Sequence, residues 1–131
     1  MEEGNKNLLK FGLPPLLWML VIMGFSSMPG VLIPNNYYIH QIAHFIEYSI
    51  FGVLLTRGFA HIVKGLGVLK MSALSVLLIV LFALFDEWRQ SLVPGRGCSL
   101  NTVFFDTAYA IFGVTLYDEV AFLLSRKKKK S

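Results

Sequence analysis

Residues 71–96 read MSALSVLLIVLFALFDEWRQSLVPGR. From Met71 to Phe85 no residue carries a charge, and then Asp86, Glu87 and Arg89 arrive together. With its flanks, over residues 66–93, the segment reaches the roughly 20 mostly apolar residues that cross a hydrocarbon core of about 30 Å. Three further segments resemble it: residues 8–28, 38–63 and 102–124. No Asp, Glu, Lys or Arg occurs from Phe11 to Ile46. The alternating ten-residue strands of a membrane barrel are not seen. The reading is an all-α integral membrane protein with four transmembrane helices in one domain, residues 1–131.

The composition agrees with this. Of 131 residues, 55% are hydrophobic and 15% charged, against about 25% charged in an average soluble domain. The formal net charge is +4, but Arg126 and Lys127 to Lys130 supply five of the twelve basic groups. Seven basic groups and eight acidic ones remain in the body. The basicity therefore belongs to a tail, residues 125–131, and does not indicate nucleic acid. One cysteine, Cys98, excludes an internal disulfide framework.

The first segment begins like a signal peptide, with Lys6 and Lys10 before an apolar run. The run is too long, however, and Ser26-Ser27-Met28 is a poor cleavage site. Pro14-Pro15 falls near its expected start, where helices tolerate proline. Met28-Pro29-Gly30 and Pro34-Asn35-Asn36 are turn signals that end it. Basic residues cluster at Lys6 and Lys10, at Arg57, Lys64 and Lys70, and in the tail. With four spans these regions share one side, which the positive-inside rule makes cytoplasmic. Both termini are then cytoplasmic. Asp118 and Glu119 are expected at that inner end, facing headgroups or pairing with Lys64 or Lys70.

Orientation brings the polar residues of three helices to one depth. His40, His44 and Glu47 are spaced i, i+4, i+7 on one helical face. Asp86, Glu87 and Gln90 end the third span, Arg96 follows in its loop, and Asp106 lies early in the fourth. Ionisable residues in spans are costly and face a bundle interior or a wet cavity. Glu87, His44 and Asp106 are the candidate catalytic groups. Arg96, Gln90, Asp86, Tyr48 and Glu47 are candidate binding groups. Arg96 suits a phosphate or carboxylate, because guanidinium grips oxyanions through two N–H groups. The bland alternative is that Asp86 and Arg89 are wet at a helix end. A Glu87–Arg96 or Asp106–Arg96 pair would then hold the loop without chemistry.

At these residues the chain resembles the VanZ-like family of small bacterial membrane proteins. Ser26-Ser27-Met28-Pro29-Gly30 matches its Ser-Ser-x-Pro-Gly ending of the first span. His44-Phe45-Ile46-Glu47-Tyr48 matches its His-Phe-x-x-Tyr stretch. Asp86-Glu87-Trp88-Arg89-Gln90-Ser91-Leu92-Val93-Pro94-Gly95-Arg96 matches its most specific motif. Ser99, Asp106-Thr107 and Gly113 extend the likeness, which covers residues 19–113. His40-Gln41 stands where many relatives carry Asp-Lys, Thr102 where an Asp is usual, and Tyr109 where a glycine is common. Tyr109 implies looser or different packing of the fourth helix.

The resemblance implies a multi-pass protein of the bacterial cytoplasmic membrane and a cell-envelope setting. It is named for a protein linked to resistance to the glycopeptide teicoplanin. The expected function is modification of a lipid- or peptidoglycan-linked substrate in a pocket toward the extracytoplasmic face. A non-catalytic binder of lipid or glycopeptide headgroups, or of a partner membrane protein, is the alternative. A metal site from His40, His44, Glu87 and Asp106 is the third reading, because His-x3-His places two imidazoles on one face. No motif asks for a cofactor. Membrane lipid, the envelope substrate and a second copy of the chain are the expected partners, and nucleic acid is not.

Overall fold

The computed structural model describes residues 2–33 and 35–130. Pro34, one of the expected turn residues, lies outside them, as do Met1 and Ser131. Among the described residues the regular structure is all helical. Helix α1 spans Glu2–Ser26, α2 spans Tyr37–Ile62, α3 spans Val68–Gln90 and α4 spans Leu100–Lys130. Of these, α1, α3 and α4 are long and apolar enough to cross a membrane.

Helix α1 starts six residues earlier than the apolar run suggested, so Pro14-Pro15 falls at its middle. The two prolines lack N–H groups, and their rings crowd the carbonyls of Lys10 and Phe11 four residues back. The chain answers by widening to an i→i+5 turn over Leu8–Gly12. A glycine on α2, Gly58, leaves room for the Phe11 carbonyl. A Cβ on Gly58 would stand 3.0 Å from that oxygen.

Helix α2 opens on an Asn36 cap, whose side-chain oxygen accepts from the Tyr38 and Ile39 N–H groups at 3.0 and 3.4 Å. It is 26 residues long, about 39 Å at 1.5 Å per residue. It is not among the helices apolar enough to cross by themselves, and several of its polar side chains turn inward: His44, Tyr48, Ser49 and Thr56 are all buried. Thr56 is satisfied by the Gly52 carbonyl at 2.8 Å. Helix α3 turns back after a short connection containing Gly65, which adopts the left-handed φ of +81°.

The core is built from Ile22, Tyr48, Phe51, Ile79, Phe82, Ala83, Val103 and Ala110. Phe51 and Phe82 meet edge to face at 5.3 Å. Helix α4 crosses α2 without side chains between the backbones. A Cβ on Gly52 would collide with the Ala110 carbonyl, and one on Gly113 with the Ser49 carbonyl. Outside, large apolar side chains lie exposed along every helix, among them Leu16, Leu20, Leu77, Leu81, Phe104 and Phe112. Such a surface suits lipid and would be an aggregation hazard in water.

The loops after α1 and α3 meet at one end of the bundle. The Gly30 N–H donates to the Pro94 carbonyl at 3.2 Å. A Cβ on Gly30 would run into the Gly95 carbonyl, and Gly95 has φ +76°. The two Pro-Gly pairs thus lock the loops together at what is here called the site end. The opposite end holds the α2–α3 connection and the last turns of α4. There Asp118 accepts from the Ser72 hydroxyl at 2.6 Å, in place of the expected lysine partners. Residues Arg126 to Lys130 continue α4 as helix. Their charge falls at the C-terminal end of the helix dipole, where cations are favoured.

Candidate functional site

The site end gathers polar side chains from all four helices. On α2, His40, His44 and Tyr48 follow one another at one-turn intervals and stack. The His40 and His44 rings lie 4.5 Å apart, and those of His44 and Tyr48 lie 6.2 Å apart at 6°. Nδ1 of His44 is 2.8 Å from Oδ1 of Asp106 on α4. Both side chains are buried, as is Tyr48, whose hydroxyl is close enough to Asp106 to interact with it. The pair is therefore shielded from water and ties the first turns of α2 and α4. Glu47, on the same face, lends its backbone carbonyl to the Trp18 indole N–H at 2.8 Å.

A second group surrounds Asp86, which is 1% exposed. The expectation that Asp86 is merely wet at a helix end is overturned. Its Oδ1 accepts from the Ser26 hydroxyl at 2.7 Å and from Arg89 at 3.0 Å, and its Oδ2 from Gln90 at 3.0 Å. Arg89 reaches on to the last turn of α1, donating to the Met23 carbonyl at 2.8 Å and the Ser27 hydroxyl at 2.6 Å, and also contacting the Ser26 hydroxyl. The Met23 carbonyl also accepts from the Ser27 N–H and from the Ser26 and Ser27 hydroxyls, and the guanidinium adds a positive charge that complements the dipole at this end of α1. The Ser26-Ser27 and Asp86-to-Gln90 motifs are thus two halves of one joint.

The chain of contacts continues outward. Arg96 donates to Oε1 of Gln90 at 2.8 Å, so Gln90 links Asp86 to Arg96. Glu87 accepts from the Ser99 backbone N–H at 2.6 Å, which pins the start of α4. The anticipated Glu87–Arg96 and Asp106–Arg96 pairs are not the ones formed. Each acid instead has another partner, Ser99 for Glu87 and His44 for Asp106.

Two concavities flank these residues. One, of about 180 Å³, lies between α1, α2 and α3, and its polar lining is Ser26, His40, His44, Glu47, Asp86, Gln90 and Arg96. Phe25, Met28, Leu32 and Ile39 form much of its apolar wall. The other is a wide, open groove of about 770 Å³, where Glu87, Ser99 and Thr102 lie together with Asn35 and Asn36. His40, Gln90 and Arg96 belong to both and form the partition between them.

The eight candidate site residues are thus brought to one end of the bundle, divided between pocket, groove and buried supports. Tyr48 and Asp106 stand behind the pocket rather than on its surface, and Glu87 faces the groove. The four-residue metal set is not assembled. Among the described residues no group of three or more His, Cys, Asp or Glu side chains is placed to hold a metal ion. Arg89 and Ser26 were not among the candidates, although the Ser-Ser and acidic motifs that hold them were both visible. Gln41 was also missed. It accepts from the Tyr109 hydroxyl at 2.7 Å, while Ser49 donates to the Tyr109 carbonyl at 3.2 Å. Tyr109 is thus well held where looser or different packing is expected of it. It fastens α4 to α2, packing edge-on against Phe45 at 5.3 Å.

No curated protein and no solved structure gives a match to this chain. The family model described as VanZ/LLP1 matches residues 11–124, which take in both loops and every side chain of the site, and the chain belongs to that family.

Proposed function

We propose that this is a multi-pass protein of the bacterial cytoplasmic membrane that processes a lipid- or peptidoglycan-linked substrate at its extracytoplasmic face. In this reading all four helices cross the bilayer and both termini are cytoplasmic. Lys6, Lys10, Arg57, Lys64, Lys70 and the Arg126–Lys130 run then lie toward the cytoplasm, as the positive-inside rule asks. The loops at the site end carry few basic residues, and Arg89 and Arg96 are engaged in the site itself.

The observation that carries the reading is the buried His44–Asp106 pair at the pocket wall. With Nδ1 committed to Asp106, His44 has Nε2 left for proton transfer, and the carboxylate steadies the ring and its tautomer. Arg96, braced by Gln90, is suited to holding an oxyanion of the substrate. Glu87 serves by keeping Ser99 and the first turn of α4 in position. The chemistry this set can offer is general acid–base assistance to a water or hydroxyl attacking a polar linkage near the headgroups.

Such processing would alter the envelope target of a glycopeptide such as teicoplanin. Expression in a teicoplanin-sensitive bacterium is expected to raise the inhibitory concentration. His44→Gln is expected to return it to the empty-vector value at equal membrane abundance. Full protection by His44→Gln would exclude acid–base chemistry at this residue.

A further inference from the structure

The pocket between α1, α2 and α3 contains a carboxyl and a guanidinium that do not meet. Glu47 lines it half-buried, and among the described residues its carboxylate is in no ion pair or hydrogen bond. Only its backbone oxygen is used, by Trp18. Arg96 lines the same pocket and spends one nitrogen, Nη2, on neutral Gln90. The other acids nearby are already engaged: Asp86 by Ser26, Arg89 and Gln90, and Asp106 by His44. Glu87 opens on the groove, not on the pocket. One carboxyl and one guanidinium are therefore left facing a single cavity with apolar walls.

A carboxylate is costly to keep ionised in such a setting unless a cation pairs with it, so a cationic ligand group is what would hold Glu47 in its charged form. A ligand that satisfies both has a cationic and an anionic group within a few bonds. At about 180 Å³ the pocket is smaller than the roughly 300–1,000 Å³ of sites for drug-sized ligands, so it suits a headgroup rather than a whole lipid or glycan. The adjoining surface is apolar: Val31 is 89% exposed, Leu32 69%, and Tyr37 and Tyr38 follow. Tyrosines favour the bilayer interface, and the aliphatic side chains beside them favour its hydrocarbon side.

We propose that the pocket binds a zwitterionic phospholipid headgroup, with its phosphate on Arg96 and its ammonium on Glu47. This rests on the reading of the pocket as a headgroup site and specifies the ligand class. It requires no proton transfer by His44, so the two can fail separately.

The test is ligand-induced stabilisation of the purified full chain in detergent. The probes are dihexanoyl phosphatidylethanolamine, dihexanoyl phosphatidylglycerol and free phosphoethanolamine. The wild-type chain is expected to bind the ethanolamine lipid about tenfold more tightly than the glycerol lipid, the size of one charge-assisted hydrogen bond. Glu47→Gln should erase that preference without weakening the glycerol lipid, because it removes a repulsion from that lipid's net negative headgroup. Arg96→Gln should weaken both lipids. Weak binding of free phosphoethanolamine identifies the membrane as the source of the ligand, and binding as tight as the lipid's identifies a soluble headgroup. Equal wild-type affinity for the two lipids overturns the proposal, and this comparison needs no variant to fold. So does a preference that survives Glu47→Gln. If His44→Gln abolishes teicoplanin protection while neither lipid binds, the envelope function stands and the zwitterion assignment falls. If the ethanolamine lipid binds selectively and the chain gives no protection, the reverse holds.

Discussion

Asp86 and Glu87 are neighbours in sequence with different structural duties, and the difference is measurable. Asp86 holds Ser26, Arg89 and Gln90 in a buried joint between α1 and α3. Asp86→Ala would leave buried donors without an acceptor, at about 1–3 kcal/mol for each group left unsatisfied. Glu87→Ala removes one bond to the Ser99 N–H at the edge of the groove. Asp86→Ala is therefore expected to lower the unfolding midpoint in detergent well below that of Glu87→Ala. Glu87→Ala should instead speed proteolysis of the 91–99 loop, which it helps to pin. A larger loss of stability from Glu87→Ala would contradict this division. Asp86, Glu87, Gln90, Arg96, His44 and Asp106 were all legible as a common depth, because helical spacing and span ends convert directly into depth. Which of them touch was not legible. That depends on helix rotation and on the Pro-Gly contacts between loops. Those contacts deliver Arg96 to Gln90 instead of to either acid.

Among elements, the helices themselves were legible from apolar runs, and the close crossing of α2 and α4 was not. Gly52 and Gly113 make that crossing from different helices, about sixty residues apart, so no GxxxG pattern within one helix announces it. The unusual middle of α1 was missed for a related reason. Proline was assigned to a helix start because an apolar run was taken to mark the helix, while Glu2 and Lys6 had already begun it. Gly52→Ala and Gly113→Ala each put a methyl group into a facing carbonyl and should destabilise the bundle by about 1–3 kcal/mol. Gly24 in α1 is the control, since a Cβ there meets nothing within 4 Å. Gly24→Ala should be neutral or stabilising by up to about 1 kcal/mol, the intrinsic helix preference of alanine. Reversible unfolding of the three variants in mixed micelles gives the comparison. An equal response at Gly24 and Gly113 would mean that the crossing is not tight.

For the whole molecule the decisive quantity is the parity of membrane crossings. Three helices are apolar enough by themselves, and three crossings would put the termini on opposite sides. Helix α2 falls short because of its polar residues, and several of these turn into the bundle, where His44, Thr56 and Ser49 meet Asp106, the Gly52 carbonyl and the Tyr109 carbonyl rather than lipid. A helix screened in this way can cross at a hydropathy that would not carry an isolated one. Its pairing with α4 at the site end, and the meeting of the loops after α1 and α3, require alternating helix directions. The four proposed crossings put Cys98 and the C-terminal lysines on opposite faces. Cys98 is the only cysteine and is exposed, so the wild-type chain carries its own reporter. A membrane-impermeant maleimide should label Cys98 in intact cells. In a Cys98→Ser background, Lys130→Cys should react only after the membrane is permeabilised, and Glu3→Cys should behave in the same way. If Glu3→Cys labels in intact cells while Lys130→Cys does not, the number of crossings is odd and α2 does not span.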